Sequence, residues 1–491
     1  MYGAFTEAVQ FVLTVETLLW ILAGFCFGVM LGATPGVGTA VGMALVLPLT
    51  VFLDGTTAII LLTCIYMGGM YGGSVSAILI NVPGTAGSAA TTFDGYPMSR
   101  NGQAVTALSI SAASSAFGGI ISIIVLFLIT PFIIEFVLLF NSPDLFLVAL
   151  LGLAMITVVA RGSIVKGLTI GMFGLLFTTV GVSPNAPDVR YNFGSLALYD
   201  GLDIVAALLG LFAISEMIKL AAERGGIAKT TTELSGSITE GIRFTITHPR
   251  AVVKSSFIGT IIGALPGAGS SMANFVSYSE AMRSSGMANT FGSGDERGVL
   301  ASEASNNSAV GGSLIPTLSF GIPGSASTAI LLGGFLMHGL NPGPSLFGSN
   351  LDITFSIYLA VAIGVIVLIP VIGLLVITQL GHLTKINTDY IIPLIVVLSI
   401  TGIYTVNISW VDVLTVFLLG IGGYFMRKYD FSIVAFLLGV ILGRMAEENL
   451  FRSLQVSGGS YDIFVESPLS IVLIIMIFLI VLSPYLMKLR E

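Results

Sequence analysis

Short hydroxyl and amide side chains gather beside four Pro-Gly pairs in this 491-residue chain. Thr39, Asn81, Thr85 and Ser88 stand near Pro35-Gly36 and Pro83-Gly84. Ser270, Ser271, Asn274, Ser325, Ser327 and Thr328 stand near Pro266-Gly267 and Pro323-Gly324, and Asn307 shortly precedes the last pair. Such groups bind an anion by donating hydrogen bonds to it, without carrying charge. Each Pro-Gly pair interrupts an apolar segment, because proline lacks an N–H and glycine admits backbone shapes that end a helix. A helix that resumes after the break presents free N–H groups and a partial positive charge, a ready site for a carboxylate. Carbonyls left over on the preceding arm suit a hard cation such as sodium. The candidate carboxylate-binding residues are therefore Thr39, Asn81, Pro83, Gly84, Thr85, Ser88, Ser270, Ser271, Asn274, Asn307, Pro323, Gly324, Ser325 and Ser327. The candidate sodium site is the backbone of Gly36, Gly38, Gly84, Gly267, Gly269 and Gly324. A lone Gly, Ser or Thr does no more than let membrane helices pack closely; the weight rests on the four pairs together.

Other chemistry is poorly supplied. His248, His338 and His382 are scattered, and Cys26 and Cys64 sit in separate apolar runs. No zinc pattern, no Ser/His pair at helical spacing and no phosphate-binding loop occurs. An enzyme and a bound cofactor are not expected, and energy must come from an ion gradient or a partner. No basic run points to nucleic acid.

The breaks belong to a repeat. Residues 28–38 and 259–269 are identical at six of eleven positions, at an offset of 231. Gly72-Gly73-Ser74 with Pro83-Gly84-Thr85-Ala86 is answered by Gly311-Gly312-Ser313 with Pro323-Gly324-Ser325-Ala326, and Ile204 to Gly210 resembles Ile433 to Gly439. The chain is two copies of one unit. With 55% hydrophobic and 9% charged residues and a mean hydropathy of +1.00, it is far too apolar for a soluble domain.

Apolar runs of membrane-spanning length, about 20 residues, follow one another closely. Residues 17–34 and 39–53 form two arms around the first break, and 57–82 ends at the second. A polar tract leads to a turn-rich segment from Asp94 to Gln103, and 104–140 is long enough for two spans, or one plus an interfacial helix. Further spans are expected near 145–160, 163–181, 203–219, 354–380, 390–404, 410–426, 431–447 and 467–487. The fold class is an all-α polytopic membrane protein of about 12 transmembrane segments, in two inverted-topology repeats with broken helices or re-entrant hairpins. The units are an interfacial segment 1–16, a first repeat 17–219, a linker 220–252, a second repeat 253–450, and a loop with an extra span, 451–491.

Charge orients these units. The linker and its flanks hold Arg224, Lys229, Arg243, Arg250 and Lys254, which belong on the cytoplasmic side. The turn from Arg161 to Lys166 then lies inside and 183–200 outside, whereas Arg427-Lys428 lies inside and Asn407 to Asp412 outside. Corresponding turns fall on opposite faces, as inverted repeats require. The N-terminus is expected in the periplasm and the C-terminus, with Lys488 and Arg490, in the cytoplasm.

Ionisable groups in or near apolar runs are Asp94, Glu135, Glu216, Glu280 and Glu303. Glu303 leads into the second Gly-Gly-Ser; its plainer reading is an interfacial residue beside Asp295-Glu296-Arg297. Glu216 beside Lys219 reads as a helix end at the cytoplasmic surface.

Gly-Ala-x-Pro-Gly-x-Gly occurring twice, Tyr71-Gly72-Gly73-Ser74, Ile80-Asn81-Val82-Pro83-Gly84, Asp94-Gly95-Tyr96-Pro97-Met98, Glu303 with Asn306-Asn307, and Leu340-Asn341-Pro342-Gly343-Pro344 resemble the large membrane subunit of tripartite tricarboxylate transporters, the TctA family. Ser308 departs from the small apolar residue expected after the Asn pair. The resemblance covers nearly the whole chain. It implies uptake of citrate or another carboxylate across the bacterial inner membrane, driven by a cation gradient with Na+ as the expected ion. It also implies a small four-helix membrane subunit, TctB-like, and a periplasmic solute-binding protein, TctC-like, with lipid around the spans and room for a dimer of the membrane complex. Inverted repeats with broken helices suggest alternating access of elevator type. A channel or uniporter for an organic anion is the alternative.

Overall fold

The computed structural model describes residues 1–159, 163–183, 188–222, 234–267, 269–375 and 388–488. Arg161, Arg224, Lys229 and Arg490, used above for orientation, and His382 lie outside the described residues. The first half runs α1 (Tyr2–Val12), α2 (Val15–Ala33), α3 (Gly38–Val46), α4 (Gly55–Ile80), α5 (Thr91–Met98), α6 (Ala104–Val137), α7 (Ser142–Ala154), α8 (Ile164–Thr178) and α9 (Ile204–Ala222). The second runs α10 (Ile238–Thr247), α11 (Pro249–Gly263), α12 (Gly269–Ser285), α13 (Glu296–Phe320), α14 (Ala326–Met337) and α15 (Leu351–Ile363). It ends with α16 (Thr388–Asn407), α17 (Trp410–Lys428), α18 (Ile433–Val456) and α19 (Pro468–Lys488). Among the described residues the only sheet pairs Gly181–Val182 with Val189–Arg190, antiparallel. Among the described residues six helical stretches are long and apolar enough to cross a membrane, and six shorter apolar helices accompany them. The protein is an all-α membrane protein.

Two local expectations change. Residues 104–137 form one helix of 34 residues, with Pro131 inside it. The segment from Asp94 to Gln103 is helical as far as Met98 and then turns at Gly102, whose φ of 79° is left-handed. Bonds from Asp94 to the second half hold that helix, a tertiary cause that local turn propensity does not contain.

The repeated glycines explain how the core closes. A Cβ on Gly28 would lie 2.4 Å from the Ile65 carbonyl oxygen, and one on Gly32 2.2 Å from that of Gly69, so α2 and α4 touch backbone to backbone. Gly259 and Gly263, their counterparts in α11, meet α13 in the same way at the Ser305 and Ala309 carbonyls. Ser308, the departure noted above, is the small side chain that Gly259 accommodates on this contact.

The equivalent helices α4 and α13 cross at the centre. Nearly all of α4 is buried. The Tyr66 hydroxyl lies 3.1 Å from that of Ser313, and the Asn306 amide donates to the Met70 carbonyl at 3.1 Å. Later residues of one helix thus meet earlier residues of the other, so the two run antiparallel. Outside this core, α18 packs on α7 and α8, while α9 packs on α16 and α17. Each half's closing helix lies against the other half's pair. The first helix, α1, is not free: Phe5 meets Phe355 of α15 and Phe127 of α6 edge-on, at 5.6 and 6.1 Å.

Candidate binding cavity

The four breaks are built in two matching ways. In the first kind the two glycines of Pro-Gly-x-Gly both take positive φ, 79° and 71° at Gly36 and Gly38, 73° and 55° at Gly267 and Gly269. Side chains are strained there, and a helix starts at once, α3 or α12. In the second kind a long helix ends on a left-handed residue, Asn81 (φ 58°) after α4 and Gly321 (φ 65°) after α13. The Pro-Gly pair follows, and then a capping box. Thr85 and Ser88 form it in the first half, Ser325 and Thr328 in the second. The box satisfies the amides at its two ends. The amides between them belong to Ala86 and Gly87, and to Ala326 and Ser327.

These four starts converge on one cavity of about 1060 Å³, large enough for a small polar ligand with water. Its wall comprises residues 36–41, 83–87, 269–271 and 325–327, with Gly267, Tyr66 and Met70. At its more exposed side stand Ser163, Lys166, Glu216, Lys219, Arg427 and Asp430.

Thr39, Pro83, Gly84, Thr85, Ser270, Ser271, Ser325 and Ser327 line this cavity, as do Gly36, Gly38, Gly267 and Gly269. Thr39 is 4% exposed, and its hydroxyl has no partner among the described residues. Six of the expected residues do not line it. Asn81 is exposed and serves as the left-handed helix end. Ser88 is buried, its hydroxyl donating to the Gly73 carbonyl at 3.0 Å. Asn274 accepts from the Ala90 amide at 2.6 Å and donates to the Ser302 carbonyl at 3.0 Å, tying the halves together. Asn307 is buried in α13, and neither of its amide atoms has a partner among the described residues. Pro323 and Gly324 lie behind the wall, where a Cβ on Gly324 would be 2.9 Å from the Gly263 carbonyl.

Charged residues at the opening were not expected at the site. Glu216, at the end of α9, bonds Lys219 at 3.2 Å and also Arg427 of α17. The Lys166 ammonium donates to the Tyr429 carbonyl at 2.8 Å and stands over the Phe431 ring. Each lies at a helix end in a different part of the sequence. The available signal was Arg427-Lys428 and Glu216 near Lys219, which mark helix ends without saying that those ends meet.

The remaining acids separate by environment. Glu135 is exposed, and Glu280 pairs with Lys254 and with Arg283. Asp94 is fully buried: one oxygen accepts the amides of Gly292, Gly294 and Asp295 at 2.8 to 2.9 Å, the other the Tyr278 hydroxyl at 2.8 Å. It fixes the loop that leads into α13. Glu303 is also fully buried, which overturns its reading as an interfacial residue. Its Oε1 accepts the Thr91 hydroxyl at 2.5 Å, and its Oε2 those of Ser111 and Ser115 at 2.8 and 3.2 Å.

The family model for tripartite tricarboxylate transporters of the TctA family matches residues 18–438, which spans both halves and every break. The chain belongs to the TctA family. It is thus a membrane component of a tripartite transporter, a system of several subunits. Among curated proteins, a relative from Agrobacterium vitis, an uncharacterized 52.8 kDa protein in the TAR-I ttuC' 3' region, is 34% identical over 93% of this chain and 91% of its own length. An uncharacterized protein in the TAR-II ttuC' 3' region of the same organism is 34% identical over 43% of this chain and 87% of its own length. No solved structure matches this TctA chain.

Proposed function

We propose that this TctA chain is the translocating subunit of a secondary active transporter that takes up a tricarboxylate or related carboxylate with a cation, Na+, as coupling ion. The observation that carries the reading is the convergence of all four breaks, two from each half, on one cavity. Amides at the starts of its helices and neutral hydroxyls such as Thr39 supply donors for carboxylate oxygens. Sodium binds carbonyls of the same breaks. In this reading α4 and α13, equivalent helices that run antiparallel, are the mark of two inverted repeats with about 12 spans between them.

The cavity side bearing Lys166, Lys219 and Arg427 is the cytoplasmic one by the positive-inside rule, so the site described is open inward. The moving part is α2 to α6 with α11 to α15; the frame is α7 to α9 with α16 to α18. An elevator shift of the first against the second carries the solute past the frame. A TctC-like periplasmic protein delivers it, and a TctB-like four-helix subunit completes the complex in the inner membrane.

Uptake by the reconstituted complex tests the reading. With a panel of carboxylates, an inward sodium gradient should drive accumulation of at least one of them above the external level. Flux that only equilibrates the solute, whatever the sodium gradient, would instead mark a channel or uniporter.

A further inference from the structure

We propose that Glu303 is a proton-binding site, protonated in the arrangement described here and able to release its proton only when α13 parts from α5 and α6 to admit water. The two buried acids sit in different shells. Three of the four donors around Asp94 are backbone N–H groups, which can only donate, and the fourth is the Tyr278 hydroxyl. The shell of Glu303 is made of hydroxyls from Thr91, Ser111 and Ser115, and a hydroxyl can donate or accept. It suits both forms of the acid.

In the protonated form the sense of the 2.5 Å contact reverses: Oε1–H donates to the Thr91 hydroxyl oxygen, while Oε2 still accepts from Ser111 and Ser115. On release the Oε1–H bond breaks, the proton passes to entering water, and the Thr91 hydroxyl turns to donate to the carboxylate. The carboxyl's own bonds are made in either form: three accepted when ionised, one donated and two accepted when protonated.

Charge points the same way. Among the described residues no Lys, Arg or His lies within salt-bridge distance of Glu303. The titratable group beside it on α4 is Tyr71, whose hydroxyl has no hydrogen-bond partner among the described residues. On α5, Asp94 is engaged as described, and α6 presents hydroxyls at this level. Of the charged or titratable side chains on α11 and α12, Lys254, Glu280 and Arg283 pair with one another, Arg250 is exposed, and Tyr278 is bonded to Asp94. At the far end of α13, Arg297 and Glu296 lie beside the capping Asp295, which pairs with Arg297; α14 carries none. An uncompensated carboxylate in a membrane interior is costly, and a neutral acid avoids that cost. Tyr71 and Asn307, one helical turn on, are buried polar groups without partners among the described residues, ready to hold the water that entry would bring.

The proton assignment rests on this placement; only its link to uptake rests on the transport reading. Infrared difference spectra of the full chain in lipid, wild type minus Glu303→Gln at about pH 7, should contain the C=O band of a protonated carboxyl. Thr91→Val, which removes the hydroxyl on Oε1, should shift that band and so identifies it even where Glu303→Gln folds poorly. Absence of any protonated carboxyl band from the wild type, or its persistence unchanged in both variants, overturns the proposal. In the reconstituted complex, wild-type uptake should depend on pH across the neutral range and that dependence should vanish in Glu303→Gln. Failure of carboxylate uptake altogether would refute the transport reading while leaving the infrared result to decide the proton site.

Discussion

Thr39→Val separates binding from folding more cleanly than any other change in the cavity. The substitution keeps the branched shape of a residue that is 4% exposed and removes one hydroxyl, which has no partner among the described residues. Nothing in the folded chain loses a hydrogen bond, so thermal stability in detergent should stay within about 0.5 kcal/mol of wild type or rise slightly, as a buried polar atom is removed. A hydrogen bond from this hydroxyl to a carboxylate is charge-assisted and contributes about 1.5 to 3 kcal/mol, or roughly 10- to 150-fold in affinity. Equilibrium binding of the transported carboxylate to purified protein, measured beside a thermal melt, reads both quantities. Ser325→Ala is the contrast. Its hydroxyl accepts the Thr328 amide at 3.3 Å in a capping box, so stability should fall by about 1 kcal/mol along with affinity. Wild-type affinity in a folded Thr39→Val protein would refute the role given to neutral hydroxyls.

Other outcomes follow from the packing and the topology. The Pro-Gly positions are poor probes of sodium, because a Cβ on Gly84 would lie 1.9 Å from the Gly32 carbonyl oxygen. Gly84→Ala should therefore lower the yield of monodisperse protein in size-exclusion chromatography, and Gly84→Val should abolish it. Asp94→Ala empties a fully buried carboxylate position and strands the amides of Gly292, Gly294 and Asp295; it should cost about 3 to 5 kcal/mol, seen as a lower melting temperature and faster proteolysis near Gly292 to Asp295. In a background lacking Cys26 and Cys64, cysteines at Asn192 and Ser409 should label from the periplasm, and ones at Ser163 and Lys229 only from the cytoplasm. Labelling of Ser163 and Ser409 from the same side would make the repeats parallel.

Much of the fold was legible because its signals are local or periodic. The Pro-Gly-x-Gly breaks stand out since glycine takes without strain the positive φ found at Gly36, Gly38, Gly267 and Gly269. The capping boxes were equally local, Thr85 with Ser88 and Ser325 with Thr328, but their hydroxyls read as ligand donors first. Asn81 misled for a related reason: a polar residue next to a break is either a ligand or a left-handed helix end, and sequence alone does not separate the two. Asn274 and Asn307 were out of reach because their places depend on which helix faces which. The same holds for Glu303, whose burial comes from packing against α5 and α6. The opening of the cavity, where Lys166, Glu216 and Arg427 meet, joins three helix ends far apart in the chain and left no pattern to read.

The location of bound carboxylate tests the account most directly. A structure of the complex with its transported carboxylate and sodium should place the solute between residues 36–41, 83–87, 269–271 and 325–327, with at least one carboxylate oxygen within hydrogen-bonding distance of the Thr39 hydroxyl. Solute bound elsewhere, with this cavity holding only water, would contradict it.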